Sequence, residues 1–195
     1  MRLFVALDID DSIREKIARF LDGVRGFAPD ARWVRPESLH VTLKFIGEMP
    51  DEEIERIKSS LRTIEAEKVE MKIGGYGFFP SARAPRVFWI GIEADSSLPG
   101  LASRVQQELA PLDIRKEEHA FNAHLTLARG GGGPVSPRWR KGDRANLDFK
   151  HLQEKLAALP TLEFGTMIAR EFFLYQSQLS PQGSKYTKLA VFPLG

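Results

Sequence analysis

The chain has 195 residues, of which 43% are hydrophobic and 28% are charged, and its formal net charge is only +2. This length and composition indicate one large domain or two small lobes, and no apolar run approaches the roughly 18 residues of a membrane-spanning helix. Because cysteine is absent, disulfides, thiolate nucleophiles and cysteine-ligated zinc are excluded, whereas local basic clusters can still contact phosphates.

The pattern of apolar residues predicts an alternation of short strands and helices. Alternating or clustered apolar residues predict strands near residues 3–7, 37–47, 69–80, 86–92, 121–129, 164–176 and 186–191, with a short extended piece at 32–35. Helical spacing predicts four helices, with their caps, over residues 10–24, 50–64, 95–109 and 147–159. Because strands outnumber helices and several adjoin directly, we predict an α+β fold with mostly antiparallel sheets.

One four-residue pattern, H-x-T-x, occurs twice, at residues 40–43 and 124–127, in a chain with only four histidines. Side chains alternate between the two faces of a strand, so His40 and Thr42 are predicted to share one face. The same holds for His124 and Thr126. In each motif the second and fourth residues are predicted to point to the opposite face, toward the hydrophobic core. Each half of the chain holds one motif and two helices. We therefore predict two lobes related by a pseudo-twofold axis within a single domain, residues 1–195, with the motifs facing a central cleft.

Two such pairs suit acid–base chemistry on a phosphodiester. Imidazole has an unperturbed pKa near 6.5, so one histidine can deprotonate a water while the other protonates the departing oxygen. The threonine hydroxyls can donate hydrogen bonds to the phosphate oxygens, where charge builds up. This chemistry needs no metal, and no H-x-H or H-E-x-x-H pattern is found. His119 and His151 lie outside the motif and are predicted to be solvated or to serve packing.

Longer segments, two of which contain the motifs, form a wider sequence pattern. They read R-L-F-V-A-L at 2–7, W-V-R-P-E-S-L-H-V-T-L-K-F-I-G at 33–47, G-F-F-P at 77–80, P-R-V-F-W-I-G at 85–91, H-L-T-L-A-R at 124–129 and S-Q-L-S-P-Q-G-S-K-Y at 177–186. In these segments the sequence resembles the two-histidine (2H) phosphoesterase superfamily, in particular the bacterial and archaeal RNA 2',3'-cyclic phosphodiesterases, also called 2'-5' RNA ligases.

The resemblance implies a bilobed α+β fold with both motifs in a central basic cleft. It assigns His40 as the proton donor, His124 as the proton acceptor, and Thr42, Thr126 and Arg129 as ligands of the substrate phosphate. The implied reaction opens the 2',3'-cyclic phosphate at an RNA end to leave a 2'-phosphomonoester, without a metal or other cofactor. The expected partner is an RNA or oligonucleotide with such an end, and we expect a monomer that does not bind membranes. Since no targeting segment is found, the expected location is the cytoplasm.

Strand parity raises two questions about the cleft. Arg129 lies five residues after His124, so it reaches the cleft only if the strand ends or bulges near Ala128, which Gly130 favours. Lys44 has the parity of His40 and is predicted to line the cleft edge or to be a solvated strand end.

Other features are left open by the sequence. Most of the candidate base-stacking aromatics are expected to belong to the core: Phe4, Trp33, Phe45, Phe78, Phe79 and Tyr186. Residues 130–133 are predicted to be a hinge or mobile rim. Four basic residues that follow are predicted either to be solvated or to contact the RNA backbone: Arg138, Arg140, Lys141 and Arg144.

Two other functions fit the same motifs. By microscopic reversibility, the two histidines can join RNA ends through a 2'-5' linkage, and comparing both rates on matched RNA ends separates the activities. A non-catalytic nucleotide- or RNA-binding module is the third hypothesis, which a metal-independent turnover assay decides.

Overall fold

The structure is a computed structural model that describes residues 1–115, 117, 119–130, 149–180 and 183–195. Within these residues the strands are β1 (Arg2–Leu7), β2 (Arg32–Trp33), β3 (Val41–Glu48), β4 (Val69–Phe79), β5 (Val87–Glu93), β6 (His124–Arg129), β7 (Glu163–Ala169), β8 (Glu171–Ser180) and β9 (Gly183–Pro193). The α-helices are α1 (Asp11–Val24), α2 (Ile54–Arg62), α3 (Ser97–Leu109) and α4 (Lys150–Ala157). Short 3-10 turns occur at Arg25–Phe27, Pro36–Ser38, Asp51–Glu53 and Ala110–Leu112.

The strands form two antiparallel sheets, which confirms the predicted α+β class. The first sheet has the order β3-β1-β8-β9 and the second has the order β2-β6-β5-β4-β7. Every pairing of strands in them is antiparallel. Each sheet contains one H-x-T-x strand, β3 in the first sheet and β6 in the second.

The sheets do not follow the two halves of the chain. The first sheet joins β1 and β3 from the start of the chain to β8 and β9 from its end, and the second is built from the strands between, together with β2. Helices α2 and α3 contact the first sheet, and α1 contacts β7 of the second. The two sheets, each with one motif strand, therefore do not coincide with the two halves of the chain, because strands from both ends pair in the first sheet.

The predicted strand at 164–176 is two strands, since the chain leaves the second sheet after Ala169 and enters the first at Glu171. Apolar alternation continues through the crossing, so periodicity alone does not reveal it.

The main hydrophobic core is shared by both sheets and the helices. Alternate residues of β1, such as Leu3 and Val5, belong to the same buried cluster as Ile90 and Leu125 of the second sheet. A smaller cluster covers the opposite face of the first sheet and contains Phe4, Ala6, Phe173 and Tyr175. No helix of the described part of the chain is long and apolar enough to cross a membrane.

Candidate active site

The two motifs lie against each other between the sheets. His40 immediately precedes β3, at the edge of the first sheet, and His124 opens β6. Strands β3 and β6 are in contact, and a positive charge on His124 is among the influences that lower the pKa of His40. The structure thus brings together two histidines that are far apart in the sequence.

Each histidine is held in the same tautomer by a carbonyl two residues before it. His40 Nδ1 lies 2.8 Å from the oxygen of Ser38, and His124 Nδ1 lies 2.7 Å from the oxygen of Asn122. A carbonyl oxygen only accepts hydrogen bonds, so each Nδ1 carries the proton and donates it. Nε2 is therefore the nitrogen left for proton transfer on both rings.

Aromatic rings surround His40. The centroid of Phe4 lies 4.7 Å from that of His40, and the ring of Tyr186 meets it edge-on at 5.0 Å. Burial is the main reason why the pKa of His40 falls to about 4, and the hydrogen bond to Ser38 only partly opposes it. Because burial disfavours the charged form, His40 is neutral at pH 7.

His124 has a similar but more open environment. The ring of Phe79 meets it edge-on at 5.0 Å, and the Trp89 ring lies 6.3 Å away. Burial lowers the pKa of His124, the Asn122 carbonyl opposes this shift, and the charge of Arg129 adds to it.

Both threonines lie on the face predicted for them. Thr42 pairs with Ala6 of β1, whose side chain belongs to the smaller aromatic cluster, and Thr126 pairs with Trp89 of β5. Both side chains are half-buried, while Val41 and Leu125 are fully buried in the main core. Thr42 and Thr126 are therefore on the same sheet faces as the rings near the two histidines.

Both motif strands contain a β-bulge at the same motif position. In β3 the extra residue is Leu43, which falls between two residues paired with β1. In β6 it is Leu127, which falls between two residues paired with β5. An extra residue shifts the alternation by one, so the side chains that follow point to the opposite face of the sheet from the one expected. The fifth residue after each histidine is consequently directed toward the cleft.

Arg129 was predicted to reach the cleft only if β6 ends or bulges near Ala128, and the bulge at Leu127 provides this. Arg129 pairs with Val87, and Val87 shares a face with Trp89, the partner of Thr126. The half-buried Arg129 therefore lies on the same sheet face as His124.

The bulge in β3 overturns the prediction that Lys44 lines the cleft on the face of His40. Lys44 is only 2% exposed, and its Nζ donates a hydrogen bond of 2.5 Å to the carbonyl oxygen of Arg115. It also lies 3.5 Å from Gln106 Oε1 and 3.7 Å from a carboxylate oxygen of Glu117. Lys44 thus ties the first motif strand to the segment that leads into the second.

The candidate aromatics separate into two groups. Three belong to packed structure: Phe4, Trp33 and Phe78. Of the others, Tyr186 and Phe79 contact the two histidines. Phe45, the fifth residue after His40, is 54% exposed and its ring centroid lies 6.2 Å from that of Phe4.

The remaining candidates are peripheral or lie outside the described residues. His119 is exposed, and His151 is exposed on α4, 3.5 Å from a carboxylate oxygen of Glu154, as predicted. The Arg138, Arg140, Lys141 and Arg144 cluster and residues 131–133 are outside the described residues. Within the part that is described, no group of three or more His, Asp and Glu residues is placed to hold a metal ion.

Sequence reasoning missed Trp89 as a site residue. Its indole packs flat over Gly77, where a Cβ atom would overlap the ring, and its buried Nε1 has no hydrogen-bond partner among the described residues. The strand alternation of Val87 and Trp89 was visible in the sequence, but not that this face meets His124.

The chain is similar to known phosphoesterases over nearly its whole length. The family model described as LigT-like phosphoesterase matches residues 7–89. An RNA 2',3'-cyclic phosphodiesterase of Archaeoglobus fulgidus is 37% identical over 98% of this chain and 99% of its own length. One of Methanothermobacter thermautotrophicus is 33% identical over 100% of this chain and 99% of its own.

Solved structures share the fold. A protein of Thermus thermophilus, 27% identical, superposes with a TM-score of 0.77 over 100% of this chain and 98% of its own. Escherichia coli LigT complexed with 3'-AMP, 25% identical, has a TM-score of 0.76 over 99% of this chain and 97% of its own. Two histidine–threonine pairs between two antiparallel sheets define a phosphoesterase of the two-histidine class. Within that class, the chain belongs to the LigT-like phosphoesterase family.

Proposed function

We propose that this protein hydrolyses the 2',3'-cyclic phosphate at RNA ends and leaves a 2'-phosphomonoester. The observation that carries the proposal is the matched pair of imidazoles on facing strands, each with Nδ1 bound to a carbonyl and Nε2 available. Relatives that match nearly the whole chain are named RNA 2',3'-cyclic phosphodiesterases.

In the proposed reaction His124 Nε2 removes a proton from a water whose oxygen forms the new bond to phosphorus. The bond between phosphorus and O3' breaks, and His40 Nε2 gives its proton to O3'. Because the pKa of His40 is about 4 without substrate, the enzyme relies on the bound phosphate to raise it. A negative charge beside an imidazole favours the imidazolium form, which makes His40 an acid only when the substrate is present.

Three side chains are proposed to bind the non-bridging oxygens of the phosphate. Thr42 and Thr126 offer hydroxyl donors from opposite sheets, and Arg129 offers a guanidinium on the face of His124. Donors fixed before the reaction stabilise the charge that develops on these oxygens. The charged fork of arginine is suited to phosphate because it donates two parallel hydrogen bonds.

The direction of the reaction also places the nucleoside. The water attacks opposite to the departing O3', so the ribose that carries O3' lies on the side of His40, over the first sheet. The aromatic side chains on that side include Tyr186, which contacts His40, and the exposed Phe45. We infer that the terminal base stacks on this surface.

The test is turnover of an RNA oligonucleotide with a 2',3'-cyclic phosphate end, in the presence of EDTA, with identification of the product. We expect a 2'-phosphate from the wild type and a loss of roughly 10²–10⁴-fold in kcat for either His40→Ala or His124→Ala. The exposed His119→Ala and His151→Ala variants are the controls and should match the wild type. Wild-type rates in both cleft variants would refute the proposal.

A second substrate separates the two roles. A p-nitrophenyl phosphodiester releases an acidic phenol that departs without needing a proton. His40→Ala should therefore recover activity on this substrate relative to the cyclic phosphate, whereas His124→Ala should not. If the recovery occurs in His124→Ala instead, the acid and base are exchanged.

A further inference from the structure

Two more arginines lie beside Arg129. Arg32 on β2 is its direct cross-strand partner on β6. Opposite residues of an antiparallel pair point to the same face, so Arg32 is directed toward the cleft beside Arg129. Like charges placed directly opposite destabilise a sheet. Such a pair is therefore a feature that needs a reason.

Arg2 approaches from the other sheet. It lies on β1 at the same parity as Phe4, whose ring belongs to the aromatic face near His40. Burial is the main cause that lowers the pKa of Arg129, and the positive charges of Arg32 and Arg2 add to the shift. The three guanidinium groups are thus close enough to interact, one from the first sheet and two from the second.

These charges are not neutralised within the described residues. Arg2 and Arg32 are exposed and neither forms an ion pair with a described carboxylate. Glu48, the neighbour of Arg2 on β3, instead lies 3.9 Å from the N-terminal ammonium. Three clustered guanidiniums carry more positive charge than one scissile phosphate needs, and this excess favours a second anion.

We propose that Arg2 and Arg32 form a binding subsite for the phosphodiester on the 5' side of the terminal nucleoside. The subsite rests on the proposed function, since the reaction places the nucleoside over the first sheet, which carries Arg2. The next anion of an RNA chain then lies beyond the nucleoside, where guanidinium groups can bind it through charge-assisted hydrogen bonds. The enzyme accordingly prefers the end of an oligonucleotide to a cyclic mononucleotide.

The experiment compares two dinucleotides that end in a 2',3'-cyclic phosphate. One has an ordinary phosphodiester between its nucleosides and the other has an uncharged methylphosphonate. For the wild type we expect kcat/KM to be roughly tenfold higher with the charged linkage, mainly through KM, and the ratio to fall as salt is added. Arg2→Gln and Arg32→Gln should each move the ratio toward one. Arg104→Gln, on the exposed surface of α3, should keep it.

Each outcome decides a separate question. A wild-type ratio near one, or a ratio unchanged in both variants, overturns the subsite while leaving the proposed function in place. If the wild type hydrolyses neither dinucleotide, the proposed function fails and takes the subsite with it. The wild-type comparison needs no mutation, so a poorly folded variant cannot obscure the result.

Discussion

At the residue scale, the low pKa of His40 links protonation to substrate binding. Burial keeps the imidazole uncharged in the free enzyme, where an imidazolium would also repel Arg129 and His124. A bound phosphate adds negative charge among these groups and reverses the preference. In the mechanism that we propose, His40 thus acquires its proton in the complex, the state in which the reaction needs a proton donor.

This linkage predicts different pH profiles for kcat/KM and kcat. The pKa of His40 is about 4 and that of His124 is below its ordinary value. In the free enzyme the protonated fraction of His40 falls above about pH 4, while the neutral fraction of His124 rises until the pH passes its pKa, which lies below 6.5. The fraction of enzyme in which both forms are correct, and with it kcat/KM, should therefore fall above about pH 6.5. The kcat profile, which reports the complex, should be displaced to higher pH. Steady-state rates across the pH range measure both, and a kcat/KM that stays flat well above pH 7 would contradict the prediction.

Phe45 allows a second prediction at this scale. Its ring is 54% exposed, so stacking of a base on it should contribute roughly 1–3 kcal/mol to binding. Phe45→Ala should raise KM about tenfold and change the free energy of unfolding little, while Phe45→Trp should keep the wild-type KM. The control is Ile168→Ala, which removes a 43% exposed side chain from the edge strand β7. Equal KM values in Phe45→Ala and the control would count against stacking.

At the element scale, periodicity predicted the helices and the strand faces next to both histidines. It did not reveal the two bulges, because a bulge depends on the register with the neighbouring strand, which the sequence does not display. We allowed a bulge for Arg129 and treated β3 as regular, so Lys44 was misplaced. The repeated motif contained a usable signal, since two copies of one pattern favour the same backbone in both strands.

The buried Lys44 connects elements rather than binding substrate. Lys44→Met keeps the aliphatic stem but leaves the carbonyl of Arg115 without its ammonium donor. We expect the free energy of unfolding to fall by about 1–3 kcal/mol, as for an unsatisfied buried polar group. The matched control is Lys72→Met, which removes an exposed lysine 3.5 Å from Glu163 and should cost less than about 1 kcal/mol. Urea unfolding measures both, and similar losses would show that burial of Lys44 adds nothing.

At the scale of the whole molecule, the cleft depends on strand pairings between distant parts of the chain. Strand β1 lies between β3 and β8, and this arrangement positions Arg2 across from Arg32 and Arg129. Local patterns predict that strands exist but not which ones pair. The sequence therefore indicated the two motifs and the fold class, while the cluster of three arginines depended on the observed topology.

The shared core predicts that the two sheets unfold together, as one domain. Both sheets contribute to the same buried cluster, so loss of either sheet exposes apolar residues of the other. Trp33 and Trp89 lie on the second sheet, so a Trp139→Phe variant confines tryptophan fluorescence to that sheet. Fluorescence and far-UV circular dichroism should then give one shared urea midpoint, which adenosine 2'-phosphate raises by binding the folded state. Two separate midpoints would mean that the sheets are independent domains, because only then can the second sheet lose its structure while the first keeps its own.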